Sequence, residues 1–360
     1  MGFTVLKTYN FRNLKEQTVE LNNKEIFLTG ENGQGKSNFL EAVYLLSYGS
    51  SFRTNQENLL IKHNSKEMTL YGEYFRNNGF SNSISVNISG KIKKIHYNGK
   101  IVRDRKNLIR NIPCIIFSHE DLSFVNGSPE RKRWFINQTI SLYDSAYIDN
   151  LRKYRKILKL RNFEVKNGKK ELLNVYNQQL AEAGLKLQNS IETTIKDFNK
   201  TFSPLFREIS GFDEELIIEY LPSWKNCSSI EEAVLRLESK TASDFILGTT
   251  STGPHRDGFK YTMLSRDFAK IASTGQLRLI SLVLRVAQSI FFSGKTKQKP
   301  LLLLDDVLLE LDNKRRMRFL GFLPEYEQIF FTFLPGEHYN EYIMEDTAIL
   351  NVDDGVISRV

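Results

Sequence analysis

The sequence has little cysteine, only Cys114 and Cys227 in 360 residues. Two thiols without metal-ligand spacing exclude a disulfide scaffold and a zinc module. Both read as buried, reduced thiols of a cytoplasmic protein. No apolar run approaches the ~18 residues that a membrane helix needs, and the N-terminus lacks a secretory pattern, so no membrane partner is expected. What is present is globular in composition, with 41% hydrophobic and 26% charged residues. The length suits two domains, or one nucleotide-binding lobe with a large insertion.

The net charge of +8 is uneven. Between Arg131 and Lys170 there are twelve Lys or Arg against three acids, and between Lys91 and Arg110 eight against one. Excesses of nine and seven leave the rest of the chain about eight charges acidic, which suggests a polyanion partner, most commonly nucleic acid. The charge pattern carries no aromatic interleaving that would suggest base readout, so contacts through phosphates are expected.

The strongest local pattern is Gly30-Glu31-Asn32-Gly33-Gln34-Gly35-Lys36-Ser37. An apolar run, Ile26 to Leu28, precedes it, and helically spaced Phe39, Val43 and Leu46 follow Asn38. Strand, glycine loop and helix form the context of a phosphate-binding loop. Its backbone N–H groups and helix N-terminus would hold ATP phosphates, Lys36 would reach the β- and γ-phosphates, and Ser37 would bind Mg²⁺. Arg12, near a strand that feeds the loop, either reaches a nucleotide phosphate or is a plain surface arginine.

Two further stretches complete a nucleotide site. Leu301 to Leu304 followed by Asp305-Asp306 is an apolar strand ending in two carboxylates, the Walker B arrangement. Asp305 would bind Mg²⁺, directly or through water, and Asp306 would face the attacking water. Ser273, Gly275 and Gln276 open an apolar helix from Leu277 to Phe292, an anion-binding helix terminus. A dimer has use for this second terminus, because a partner copy can offer it across the interface. Leu311-Asp312 falls where a dimer-interface loop would sit. The three elements in this order predict an α/β fold: an ABC-type ATPase head, that is, a P-loop NTPase with a mixed β-sheet.

The remaining chain divides around that head. Residues 1–117 read as the N-terminal part of the ATPase lobe, with an antiparallel start, the loop, and a β-meander over 68–116 with turns at Asn77-Asn78-Gly79, Ser89-Gly90 and Asn98-Gly99. Residues 118–248 read as a mainly helical second lobe. Ser128-Pro129 starts a helix, and two long helices between Gln138 and Phe202 form a hairpin too short for a long coiled coil. Residues 249–360 return to the ATPase lobe.

At this point the sequence resembles the RecF family of recombination-repair ATPases, relatives of structural-maintenance-of-chromosomes heads, over essentially its whole length. Phe11-Arg12-Asn13, the run Leu45 to Thr54, Glu120-Asp121-Leu122 through Arg133, and Thr252-Gly253-Pro254-His255-Arg256-Asp257 carry the resemblance. Transporter cassettes lack the last two. Departures are His119, Asn137, Gly258 and Phe333, and none touches Lys36 or the Asp305-Asp306 pair. The resemblance implies an ATP-dependent homodimer that binds DNA at single-strand/double-strand boundaries. It also implies work with RecO and RecR in loading RecA at gaps. The alternatives weighed are a transporter ATPase subunit, a P-loop kinase or GTPase, and a structural chromosome-binding protein with a vestigial site.

Overall fold

The computed structural model describes residues 2–75, 79–310, 313–337 and 339–360. The expected Leu311-Asp312 loop, and Asn77-Asn78 of the first turn signal, lie outside the described residues. The chain forms two compact units: unit 1 is Met1–His119 with Lys297–Val360, and unit 2 is Glu120–Thr296.

Unit 1 begins with β1 (Phe3–Tyr9), β2 (Gln17–Glu20), β3 (Glu25–Thr29) and α1 (Lys36–Tyr48). Then come β4 (Glu67–Phe75), β5 (Ser81–Ser89), β6 (Ile92–Tyr97), β7 (Lys100–Ile101), α2 (Lys106–Asn111) and β8 (Cys114–Phe117). One antiparallel sheet runs in the order β2-β1-β4-β5-β6-β7. Burial alternates along β4 and β5, as it must when only one face of a sheet meets the core. Asn98 and Gly99 both take positive φ, 50° and 75°, the geometry that a two-residue hairpin turn requires. The meander therefore ends at Ile101, and the rest of the expected β-rich stretch becomes α2 and β8.

Unit 2 contains α3 (Ser123–Asn126), α4 (Pro129–Tyr143), α5 (Ser145–Lys166), α6 (Leu173–Ser210), β9 (Ile217–Leu221), α7 (Ile230–Ser239) and α8 (Thr241–Leu247). It closes with β10 (Gly258–Met263), β11 (Arg266–Asp267) and α9 (Thr274–Thr296). Ser128 stands before α4 as expected, but it caps through its carbonyl, which accepts from Arg131 N at 2.9 Å, and its hydroxyl makes no cap bond. α6 spans about 57 Å at 1.5 Å per residue. It spends that length packing on α5, α7 and α9 instead of projecting as a coiled coil. Gly184 lets the Trp224 ring, in the chain between β9 and α7, lie close against α6, since a Cβ there would stand 2.5 Å from it.

The expected boundary at residue 249 is corrected. β10 pairs antiparallel with β9, and α9 packs on α4 and α6, so 249–296 is built into the helical unit. α9 is long and apolar enough to cross a membrane by composition, yet 78% of its apolar window is buried. Two buried ion pairs tie the unit together. Arg161 meets Asp244 at 2.7 Å, and Arg285 meets Asp121 at 2.7 Å. A buried pair is costly to break, because the survivor keeps an uncompensated charge.

The chain re-enters unit 1 with β12 (Leu301–Leu304), α10 (Asn313–Gly321), β13 (Gln328–Phe333), β14 (Thr347–Asp353) and β15 (Val356–Arg359). They complete a mixed sheet in the order β15-β14-β3-β13-β12-β8, parallel from β14 to β8 with β15 antiparallel at the edge. Strands covered on both faces carry unbroken apolar runs, and β3, β8, β12 and β13 are buried at every residue. Phe333 continues β13, its ring 5.1 Å from that of Phe27. Cys114 is buried, whereas Cys227, expected to be buried, is partly exposed, and neither forms a disulfide.

Candidate nucleotide-binding site

Parallel strands deliver their carboxyl ends to one side of a sheet, and there the site forms. β3 ends at Thr29, and the chain turns through Gly30 to Gly35 into α1. Gly33 and Gly35 take φ of 82° and 124°, open to glycine at little cost. A Cβ at Gly30 would lie 2.3 Å from the carbonyl oxygen of Val352 on β14, so the loop's first residue must be glycine. Lys36 is buried, and its Nζ donates to the carbonyls of Gly30 at 2.6 Å and Glu31 at 3.1 Å. The ammonium thus stands within the curve of the loop, at the positive end of α1.

The loop is braced from outside. The Asn13 amide donates to the carbonyls of Gly33 and Gln34, and its oxygen accepts from Asn38 at 2.7 Å. Gln34 Oε1 accepts from the backbone N–H of Asp354 at 2.6 Å. Arg12 forks onto Glu41 with Nε at 2.8 Å and a terminal nitrogen at 2.9 Å. The Glu41 carboxylate is fully buried on α1, so the arginine ties the helix to the chain beyond β1.

Ser37 Oγ donates to Asp305 Oδ1 at 2.7 Å. Burial pushes the Asp305 carboxyl up to about 6, and the neighbouring Asp306 charge adds to that rise while the Ser37 bond opposes it. A hydroxyl and a carboxylate with phosphate oxygens to follow are the hard oxygen donors that suit Mg²⁺. A dication there would return the buried carboxylate to its charged form. Among the described residues no cluster of three or more His, Cys, Asp or Glu could hold a metal. Mg²⁺ held by a carboxylate, a hydroxyl and phosphates needs no such cluster. Asp306 takes φ of 53°, unfavourable for a side-chain-bearing residue. Thr332 holds it there: its Oγ1 accepts from Asp306 N and donates to Asp306 Oδ1, both at 2.7 Å.

The resulting cleft is lined by Asn32, Gly33, Gly35, Lys36, Ser37, Asn38, Asp306 and Arg53. All but Arg53 follow from the sequence pattern. Gly49 ends α1 in the left-handed region at φ 67°, reversing the chain so that Arg53 returns to the helix's start and donates to Asn38 Oδ1 at 2.7 Å. A glycine cap followed by a cation is the one local signal for it. Arg12, by contrast, does not line the cleft.

Ser273 and Gln276 lie in unit 2, at the exposed start of α9. Ser273 N donates to Gln276 Oε1 at 2.8 Å, and Gln276 N donates to Ser273 Oγ at 3.3 Å, a reciprocal capping box. A Cβ at Gly275 would meet nothing within 4 Å, so this terminus faces open space. The basic stretch from Arg131 to Lys170 is also sorted by the fold. Arg161 is fully buried against Asn177, Asp244 and Thr250. Arg152, Arg155, Lys156 and Lys159 remain exposed on α5.

A family model described as the RecF/RecN/SMC N-terminal domain matches residues 3–357. The DNA replication and repair protein RecF of Treponema pallidum is 40% identical over 346 residues, covering 96% of this chain and 98% of that protein. RecF of Halothermothrix orenii is 35% identical over 367 residues, covering 97% and 96%. A solved structure of the recombination mediator protein RecF with ATP, in the RecFOR pathway, matches with a TM-score of 0.90 at 30% identity, covering 100% of this chain and 97% of that one. An SMC head bound to the C-terminal winged-helix domain of ScpA matches with a TM-score of 0.59 at 15% identity, covering 99% and 96%, and shares the fold alone.

Proposed function

This chain belongs to the RecF/RecN/SMC N-terminal-domain family, and from that premise we propose that it is an ATP-dependent DNA-binding protein of recombinational repair and replication. It binds single-stranded DNA and single-strand/double-strand junctions at gaps, dimerises on ATP, and with RecO and RecR helps load RecA. It hydrolyses ATP slowly, as a release switch.

The observation that carries this reading is the Ser37–Asp305 hydrogen bond, which joins the phosphate loop to the end of β12 beside Asp306. In the proposed cycle the loop N–H groups and Lys36 hold the β- and γ-phosphates, while Ser37 and Asp305 hold Mg²⁺. The ion, when bound, neutralises charge developing on the phosphoryl oxygens. Asp306 orients the attacking water. Ser273, Gly275 and Gln276 of a second copy complete the γ-phosphate site, a role supported by the exposed capping box in unit 2. Exposed cations on α5 contact DNA phosphates.

Sizing the protein by light scattering, with and without ATP and with and without a gapped duplex, tests the reading. A monomer that becomes a dimer only with ATP, and stays one on the gapped duplex, is the expected result. An unchanged mass with ATP contradicts it.

A further inference from the structure

Unit 2 carries a half-open cavity of about 230 Å³ that plays no part in the nucleotide chemistry above. Three helices, the turn at residues 254–257 and Phe259 of β10 build it, and the carboxyl-bearing Glu130 and Asp257 are part of its wall. α4 supplies Arg133, Trp134 and Asn137, and α5 supplies Tyr147, Tyr154 and Arg155. That is space for one planar heterocycle.

Several polar groups of the wall are paired with one another, while the Asn137 amide and the guanidiniums of Arg133 and Arg155 keep N–H groups to spare among the described residues. The Tyr154 hydroxyl is taken by His255 Nδ1 at 2.7 Å. Tyr147 donates to Asn137 Oδ1 at 2.5 Å, which fixes the amide. The Asn137 NH₂ keeps no partner among the described residues. Trp134 stacks on Phe124 with centroids 5.5 Å apart and 24° between planes, yet remains 37% exposed. Its indole is a rigid platform beside the cavity. Arg155 is exposed on the same helix as Arg152, Lys156 and Lys159.

We infer that this cavity receives one unpaired base of single-stranded DNA. The base stacks on Trp134 and presents an acceptor to the Asn137 amide, while its neighbouring phosphates lie on Arg155 and the α5 cations. The inference rests on the reading that unit 2 binds DNA, and it names how single strand is told from duplex there. An aromatic platform beside a cationic track is the combination that holds single strands, because every base has a face to stack. Bases in a duplex are already stacked and paired, and drawing one out costs a few kcal/mol. An aromatic side chain from a protein fits the cavity too, but it has no phosphates for Arg155 and its neighbours.

Tryptophan fluorescence reads the site directly. The chain has two tryptophans, and the other, Trp224, is fully buried. With ATP and Mg²⁺ present, a single-stranded oligo-dT should quench the emission, whereas a duplex of equal length and an abasic strand should bind without quenching. Trp134→Phe should lose the quench and retain affinity. Trp134→Ala should weaken single-strand binding by roughly 5- to 150-fold, leaving duplex and abasic-strand affinity unchanged by anisotropy. Single-strand binding by the parent without quenching overturns the inference, as does an equal loss on all three ligands in Trp134→Ala. So does quenching by an acidic, aromatic-containing peptide where oligo-dT gives none, which makes the cavity a protein-docking site. If none of the three DNA ligands binds, the DNA-binding reading itself fails, and the base site with it.

Discussion

Ser37 and Asp305 lie 268 positions apart in the chain, and a 2.7 Å hydrogen bond joins them. The sheet makes this meeting unavoidable. β13 lies between β3 and β12, all three parallel, so the loop after β3 and the carboxylates after β12 emerge on one side. Removing either partner should spare the fold and strike the metal. Ser37→Ala and Asp305→Asn should each weaken Mg²⁺-dependent ATP affinity by at least about tenfold, the worth of a contact to a charged group of ~1.5–3 kcal/mol. ATP titrations with and without Mg²⁺ check this, and Lys36→Met should lose binding in both.

The capping box at Ser273 makes a separate prediction. Ser273→Arg should leave ATP binding intact and abolish ATP-dependent dimerisation. Loss of the cap costs about 1 kcal/mol, too little to undo a helix as deeply buried as α9. A variant that dimerises like the parent, or that loses nucleotide binding, refutes the shared site.

The parts of the site legible in the sequence are the local ones. Glycine spacing announces the loop, four leucines before two aspartates announce the strand end, and Ser273 with Gln276 announces a helix start, because each works through neighbours in the chain. What needed the fold is non-local. Arg12 meets Glu41 and Arg53 meets Asn38 only after strands and helices have packed. The boundary at 249 was misplaced because β10 finds its partner in β9, 37 residues earlier at Gly258 and Leu221. Arg161 counted among the DNA-facing cations, although it falls seven residues after Tyr154 on the buried stripe of α5.

That sorting of cations sets the DNA prediction. Charge reversal at Arg152, Arg155 and Lys159 together should weaken binding to every DNA sequence and lower the log–log salt slope by about three. Arg161→Glu should instead unfold unit 2, because Asp244 would lose its buried partner. Salt titrations of affinity, with thermal melts of both variants, separate the two effects. An unchanged slope in the triple variant moves the DNA contacts elsewhere.

His255 and Asp257 should titrate against each other. Burial lowers His255 to about 4 and raises Asp257 to about 6. Between pH 4 and 6 the native unit keeps a proton on Asp257 that the unfolded chain has released, so this group's contribution falls as pH rises. The unfolded chain meanwhile binds a proton on its histidine that native His255 refuses, so that contribution rises with pH. Each slope is about 1.36 kcal/mol per pH unit, and the two cancel. Urea unfolding followed by tryptophan fluorescence should therefore give single-variant pH slopes that differ from the parent's in opposite directions. Relative to the parent, Asp257→Asn should lose stability on acidification from pH 6 to 4, and His255→Gln should gain it. Departures of the same sign in both variants contradict the pairing.

Whether the molecule is a switch or a motor rests on Asp306. Thr332 holds its carboxylate, and its side chain is one methylene shorter than the glutamate that fast cassette ATPases usually place there. Catalysis here is positioning, and a misplacement of about 1 Å can cost on the order of 10²-fold. The ATP-bound dimer should then outlast its encounter with DNA until hydrolysis releases it. The most direct measurement compares single-turnover ATP hydrolysis with dissociation from a gapped duplex, in the parent and in Asp306→Asn. Matching rates are expected in the parent, with Asp306→Asn binding ATP and dimerising normally but leaving DNA more slowly. A parent that hydrolyses many ATPs during one DNA-bound lifetime contradicts it.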